Sequence, residues 1–190
     1  MKKFDGFKSE AQKAGVPMLP AGAYIAGIQA VKIEGTEPDQ RLVLRLEIIE
    51  GEWAGYYARR YENDAQSAAR FHYEAKYKGD FRIQIPDRAN TKREHFDWDL
   101  RNFNGSIWAI EQSNEGYSWD WDEKKLKGKT VGISVREGSY NGSPYTTIGR
   151  LESAEEVRQG KVKPMKPLKP RSDAAEPQNF VEVEEEEIPF

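Results

Sequence analysis

The chain reads as a mainly β protein, a small five-stranded barrel with one or two helices, and three observations carry that reading. Over Arg41–Ile49, Leu42, Leu44, Leu46 and Ile48 alternate with Arg41, Val43, Arg45 and Glu47, the period-two pattern of a half-buried strand. The same alternation returns at Val131, Ile133 and Val135. Turn-forming clusters, Gly35–Gln40 and Glu137–Pro144, punctuate these runs.

The remaining elements follow in order. Residues 1–18 are a polar leader, and Leu19-Pro20-Ala21-Gly22 is a turn that launches a first strand over Ala21–Ile33. Gly22 and Gly27 permit the sharp coiling a small barrel needs. Arg41–Ile49 is the second strand, Glu50–Gly55 a connection, and Tyr56–Glu62 (YYARRYE) is predicted as the third strand. Asp64–Lys78 is expected as a short helix, and Phe81, Ile83 and Ile85 alternate as an additional strand ended by Pro86. Phe96, Leu100, Phe103, Ile107 and Ile110 recur at helical spacing, which predicts a helix over 95–112 despite Gly105. Asn114–Asp122 is a loop, Leu126–Arg136 and Tyr145–Leu151 are the last two strands, and Ala154–Gln159 forms one helical turn. Strand, strand, strand, helix, strand, strand is the order of the OB-fold, a five-stranded Greek-key barrel. The predicted domain spans 19–159, with an insertion between strand three and the helix.

The absence of cysteine excludes disulfides and thiolate chemistry. His72 and His95 have no zinc-type partner spacing, and Asp97, Asp99, Asp120, Asp122 and Glu123 do not match a calcium loop. No phosphate-binding glycine loop, dinucleotide fingerprint or nucleophile elbow is present. A non-enzymatic protein without metal or cofactor is expected. MKKFDGFKSEAQKAG lacks the apolar segment of a signal peptide, and no apolar run reaches membrane-spanning length, so a cytoplasmic protein without membrane contact is expected.

The net charge of −3 averages two unlike parts. Ser172–Phe190 holds seven of the 32 acids and no Lys or Arg, which leaves 29 cations against 25 acids elsewhere, a net of +4. A basic body with an acidic tail is an asymmetry that points to nucleic acid. A Pro/Lys-rich stretch, 160–181, reads as a flexible, extended linker to the tail 182–190. Glu184, Glu185, Glu186 and Glu187 precede Ile188, Pro189 and Phe190. The ring of Phe190 suits an apolar pocket, its α-carboxylate suits an Arg or Lys, and the glutamates suit steering toward a basic surface.

This ending resembles that of bacterial single-stranded DNA-binding proteins, which close on acids followed by Ile-Pro-Phe. The body is similar to single-stranded DNA-binding proteins of phages and conjugative elements, in LPAGAY (19–24), EGEWAGY (50–56), NFNGSIWAIEQSN (102–114) and the run from Trp119 to Lys129. The resemblance implies single-stranded DNA as ligand, a role in replication, recombination or repair of a phage or mobile element, and capture of replication proteins by the tail. It leaves homo-oligomerisation open.

Binding without sequence preference needs cations interleaved with aromatic platforms. In the predicted third strand, Tyr57, Arg59 and Tyr61 share the outer face, extended by Arg41 and Arg45 on the neighbouring strand. The competing reading of that stripe is cross-strand aromatic packing with solvated arginines. Tyr140 is expected to cap the same groove from the last hairpin, with Lys127 and Lys129 as phosphate contacts. Trp108 is expected in or near the core, and Trp119 and Trp121, flanked by Asp120 and Asp122, as a structural clamp. Two alternatives to DNA binding remain at this level: a β-barrel adaptor that binds only proteins, and a hydrolase built on the acidic cluster.

Overall fold

The computed structural model describes residues 15–93 and 95–172. Five strands, β1 (Gly22–Glu34), β2 (Arg41–Ile48), β3 (Asp80–Gln84), β4 (Thr130–Tyr140) and β5 (Ser143–Glu152), form one antiparallel sheet in the order β3-β2-β1-β4-β5. Helix α1 (Tyr56–Phe71) lies between β2 and β3, α2 (Phe96–Gln112) between β3 and β4, and the short α3 (Ala154–Arg158) follows β5. The fold is mainly β, as the alternation predicts. Among the described residues the sheet is open, because β3 and β5 are its unpaired edges.

β1 serves two partners. Its second half pairs β2 from Ala26↔Ile48 to Glu34↔Arg41, with a bulge between Ile28 and Ala30. Its first half pairs β4 from Gly22↔Val135 to Gly27↔Thr130. The bulge bends and twists the strand, so that the β2–β3 and β4–β5 arms both turn their apolar sides inward. Leu42, Leu44, Leu46, Ile48, Ala26, Ile28, Ile83, Val131, Ile133 and Val135 are all buried there. α2 touches β3, β4 and β5 and places Phe103, Ile107 and Ile110 in this core. It thus bridges the two edges that do not pair.

The predicted third strand is a correction. Tyr56–Glu62 opens α1, which continues unbroken to Phe71, and the third strand is β3, read from sequence only as an extra one. The insertion therefore lies between β2 and β3, not between strand three and the helix. Two features favour the helix over the strand that YYARRYE resembles. Glu47 on β2 accepts hydrogen bonds from the amides of Tyr57 (3.0 Å) and Ala58 (2.7 Å), satisfying helix-start donors and placing negative charge at the positive end of the helix. Tyr56 and Tyr57 are both buried while Ala58 and Arg59 are both exposed, a two-in, two-out pattern that follows the turn of a helix rather than the alternation of a strand.

Val43, expected outside, is buried as well. Its cross-strand partners are Lys32 and Arg82, whose aliphatic stems suit covering an apolar neighbour. Trp108 is another correction: it is half-exposed on the outer side of α2, while its neighbours Ile107, Ala109 and Ile110 take the core. The Trp119 and Trp121 rings lie 4.9 Å apart, and both pack near Phe103.

At the N-terminal edge of the described chain, Leu19 is fully buried and Val16 packs against the core; residues 1–14 of the expected leader lie outside the described residues. The Leu19 amide donates to the Tyr56 hydroxyl (3.0 Å), which also accepts from Arg60 (2.8 Å). Tyr56→Phe leaves that amide unsatisfied in the interior, so it is expected to destabilise the protein by about 1–3 kcal/mol, measured as a lower denaturant midpoint with an unchanged m-value.

Candidate nucleic-acid interface

The outer face of the β1–β2–β3 arm is set by register. Lys32 and Glu34 from β1, Arg41, Val43 and Arg45 from β2, and Asp80, Arg82 and Gln84 from β3 are aligned as cross-strand partners, and alternation puts them on one side. Arg45 pairs with Asp80 at 2.9 Å, Arg82 with Glu34 at 3.1 Å, and Lys32 with Glu34 at 2.6 Å, while Arg41 donates to Gln84 at 3.4 Å. Lys32 and then Arg82 hold the Glu34 carboxyl below its ordinary range, and the Asp80 contact raises Arg45. The arginine and lysine side chains of this face remain about half exposed.

Rings border the arm on the α1 side. The Arg45 guanidinium lies 4.8 Å above the Tyr77 ring, and Tyr77 is 5.9 Å from Tyr61 and 6.2 Å from Tyr57. Tyr77 is held by donating to Glu47 (2.9 Å) and to the Leu46 carbonyl (3.0 Å). Glu47 therefore ties β2, the start of α1 and the Tyr77 platform together.

The structure separates the residues expected to act as one stripe. Arg41 and Arg45 occupy the outer strand face, as expected. Tyr61 joins Arg45 through Tyr77, and 41% of its surface is exposed. Tyr57 does not face outward: only 4% of it is exposed, because it is on the inward side of a helix, and it is removed from the site. Arg59, also on α1 rather than on a strand, donates back to the Ala54 carbonyl just before the helix begins. Lys127 and Lys129 lie at the foot of β4, where the Lys129 carbonyl accepts from Ile28 and its ammonium rests 4.0 Å over Tyr117. Tyr140 ends β4 and is half-exposed. Residues Glu184 to Phe190 lie outside the described residues.

Cations that the sequence reading passed over complete the region. Lys32 and Arg82 join the strand face. Arg60, Lys76 and Lys78 line a cleft of about 290 Å³ with Asp64, Met18 and Pro144, the last on the hairpin beyond Tyr140. The available signal was the alternation of Arg82 between Phe81 and Ile83, and of Lys76 and Lys78 about Tyr77. A basic, ring-bordered surface of this kind can hold a phosphate backbone and stack bases. No family model matches the chain, and no curated protein matches it.

Burial, then Tyr56 and Glu47, raise the Tyr57 hydroxyl far above the ordinary 10.0; burial, then the bond to Glu47, do the same for Tyr77. For a raised tyrosine the folded state keeps its proton longer than the unfolded chain does. Stability is therefore complete below 10.0 and is lost as pH climbs above it. Denaturant unfolding at about pH 8 and about pH 11 is expected to show a fall that is shallower in Tyr77→Phe than in the parent.

Proposed function

We propose that the protein is a sequence-independent single-stranded DNA-binding protein of OB type that serves replication, recombination or repair and recruits partners through its C-terminal tail. The observation that carries the reading is the alignment of Arg41, Arg45 and Arg82 on the outer face of β2–β3, with Arg45 over the Tyr77 ring that adjoins Tyr61. In OB barrels, which are often partly open, that face and the loops joining strands one to two and four to five take oligonucleotides. The order β3-β2-β1-β4-β5, with α2 entering between β3 and β4, fits this topology. The cations of the face are about half exposed and the pairs with Glu34 lie at the surface and are individually weak, so phosphates can take the place of Glu34 at little expense and reach the open side of Arg45.

Anisotropy of labelled oligo-dT across a salt series tests the strand face. Tyr61→Ala is expected to weaken binding by about 1–3 kcal/mol, the worth of one stacked base. Arg41→Ala/Arg82→Ala is expected to reduce the slope of log K against log salt by about 1.4, since each single-strand phosphate contact contributes about 0.7. Folded variants with parental affinity and slope would remove this face from the site. Recruitment is tested by pull-down from host lysate. Phe190→Ala, and a chain extended by one Gly after Phe190, are both expected to lose the captured replication proteins; equal capture by all three chains would reduce the tail to a solvating appendage.

A further inference from the structure

The Lys/Pro stretch after α3 is laid onto the β4–β5 hairpin. Pairing of β1 with β4 ends at Gly22↔Val135, and beyond it the stretch takes the vacated edge of β4. The Leu168 amide donates to the Glu137 carbonyl (2.8 Å), the Arg171 amide to Ser139 (2.9 Å), and the Asn141 amide to Arg171 (2.8 Å). Tyr140 and Arg171 form a parallel bridge. Met165 packs over Gly149, where an added Cβ would come within 2.6 Å of its sulfur. Gly149 is therefore the floor on which this strap rests.

Burial along the strap has a period of three. Val162, Met165 and Leu168 are half-buried, whereas Lys163, Lys166 and Lys169 between them are exposed, each followed by Pro164, Pro167 or Pro170. Three residues per turn is the period of a polyproline helix, which rises about 3.1 Å per residue, so the lysines recur about every 9 Å along one edge. Residues 160–172 hold five cations and no acid. Prolines and backbone hydrogen bonds fix this row before any ligand arrives, which lowers the ordering entropy that binding must overcome.

We infer that the strap is a phosphate rail for single-stranded DNA, contacted by Lys163, Lys166 and Lys169 and leading to the Tyr140 ring at the hairpin's end. This rests on the DNA-binding reading and extends its path beyond the strand face. Evenly spaced point charges on a fixed, extended backbone suit a repeating phosphate chain and read no sequence.

The test uses the full chain carrying Lys163→Gln/Lys166→Gln/Lys169→Gln, which keeps the apolar edge and the prolines, with circular dichroism to check folding. Against oligo-dT the salt slope is expected to shrink by about 2, three contacts at about 0.7 each, with weaker binding at low salt. The same shrinkage is expected when Glu184–Glu187 are also replaced by Gln. If the parent binds oligo-dT and the lysine variant keeps its slope and affinity, the rail is overturned while the strand-face reading stands. If the lysine effect disappears once the tail glutamates are Gln, the row serves the chain's own tail and the rail is likewise overturned. If the parent does not bind oligo-dT at all, both readings fall together.

Discussion

β1 has more residues than either of its neighbours can pair, and the rest of the molecule is arranged around that fact. Its first half hydrogen-bonds β4 and its second half β2, with the bulge between Ile28 and Ala30 marking the change of direction. Each backbone group must find a partner or face water, so the two arms of the sheet are fixed to opposite sides of one strand. Their apolar faces then converge, and α2 fills the space between edges β3 and β5. The same geometry leaves two surfaces outside. One is the charged face of β1–β2–β3 beyond the bulge. The other is the edge of β4 beyond Gly22, which the Lys/Pro strap occupies.

Polar chemistry on the α1 side depends on Glu47. Its two oxygens accept from the amides of Ile48, Tyr57 and Ala58 and from the Tyr77 hydroxyl. A carboxylate with that many donors holds its place, and through it the Tyr77 ring is presented to Arg45 and Tyr61. The cations of the strand face are instead paired with the partly buried Glu34 and Asp80 while staying about half exposed themselves, an arrangement that keeps them extended and open to a further partner. Fixed rings beside exchangeable charges are what a ligand with variable bases and constant phosphates requires.

The elements legible in the sequence are those whose pattern is local. β2 was readable from four alternating leucine and isoleucine positions, α2 from five apolar residues at helical spacing, β4 from the alternation of Val131, Ile133 and Val135, and β5 from its place after the turn at Asn141-Gly142, whose positive φ angles of 48° and 76° make the tight hairpin. α1 was not, because YYARRYE is rich in strand-favouring tyrosines and short enough to fit either period. Its helical state is set by Glu47, ten residues earlier and across the fold. A longer window over Tyr57, Tyr61, Asp64 and Ala68 shows helical spacing. That error carried into the site: Tyr57 and Arg59 were placed beside Tyr61 by strand alternation, whereas a helix turns Tyr57 into the core and Arg59 elsewhere. Arg41 and Arg45 were found because β2 was found. The order of the strap was hidden, since its partners are backbone groups of β4 that no local composition reveals.

The proposed preference of this surface for single strands over duplex is tested most directly by a competition experiment. Labelled oligo-dT bound to the full chain is challenged with unlabelled oligo-dT and with duplex DNA of equal length, at a low and a high salt concentration. The account predicts that the single strand displaces the label at far lower concentration than the duplex, and that the preference persists at high salt because base stacking on rings is not screened as phosphate contacts are. Equal displacement by duplex, or a preference that vanishes with salt, would leave only a general attraction for polyanions and contradict the account.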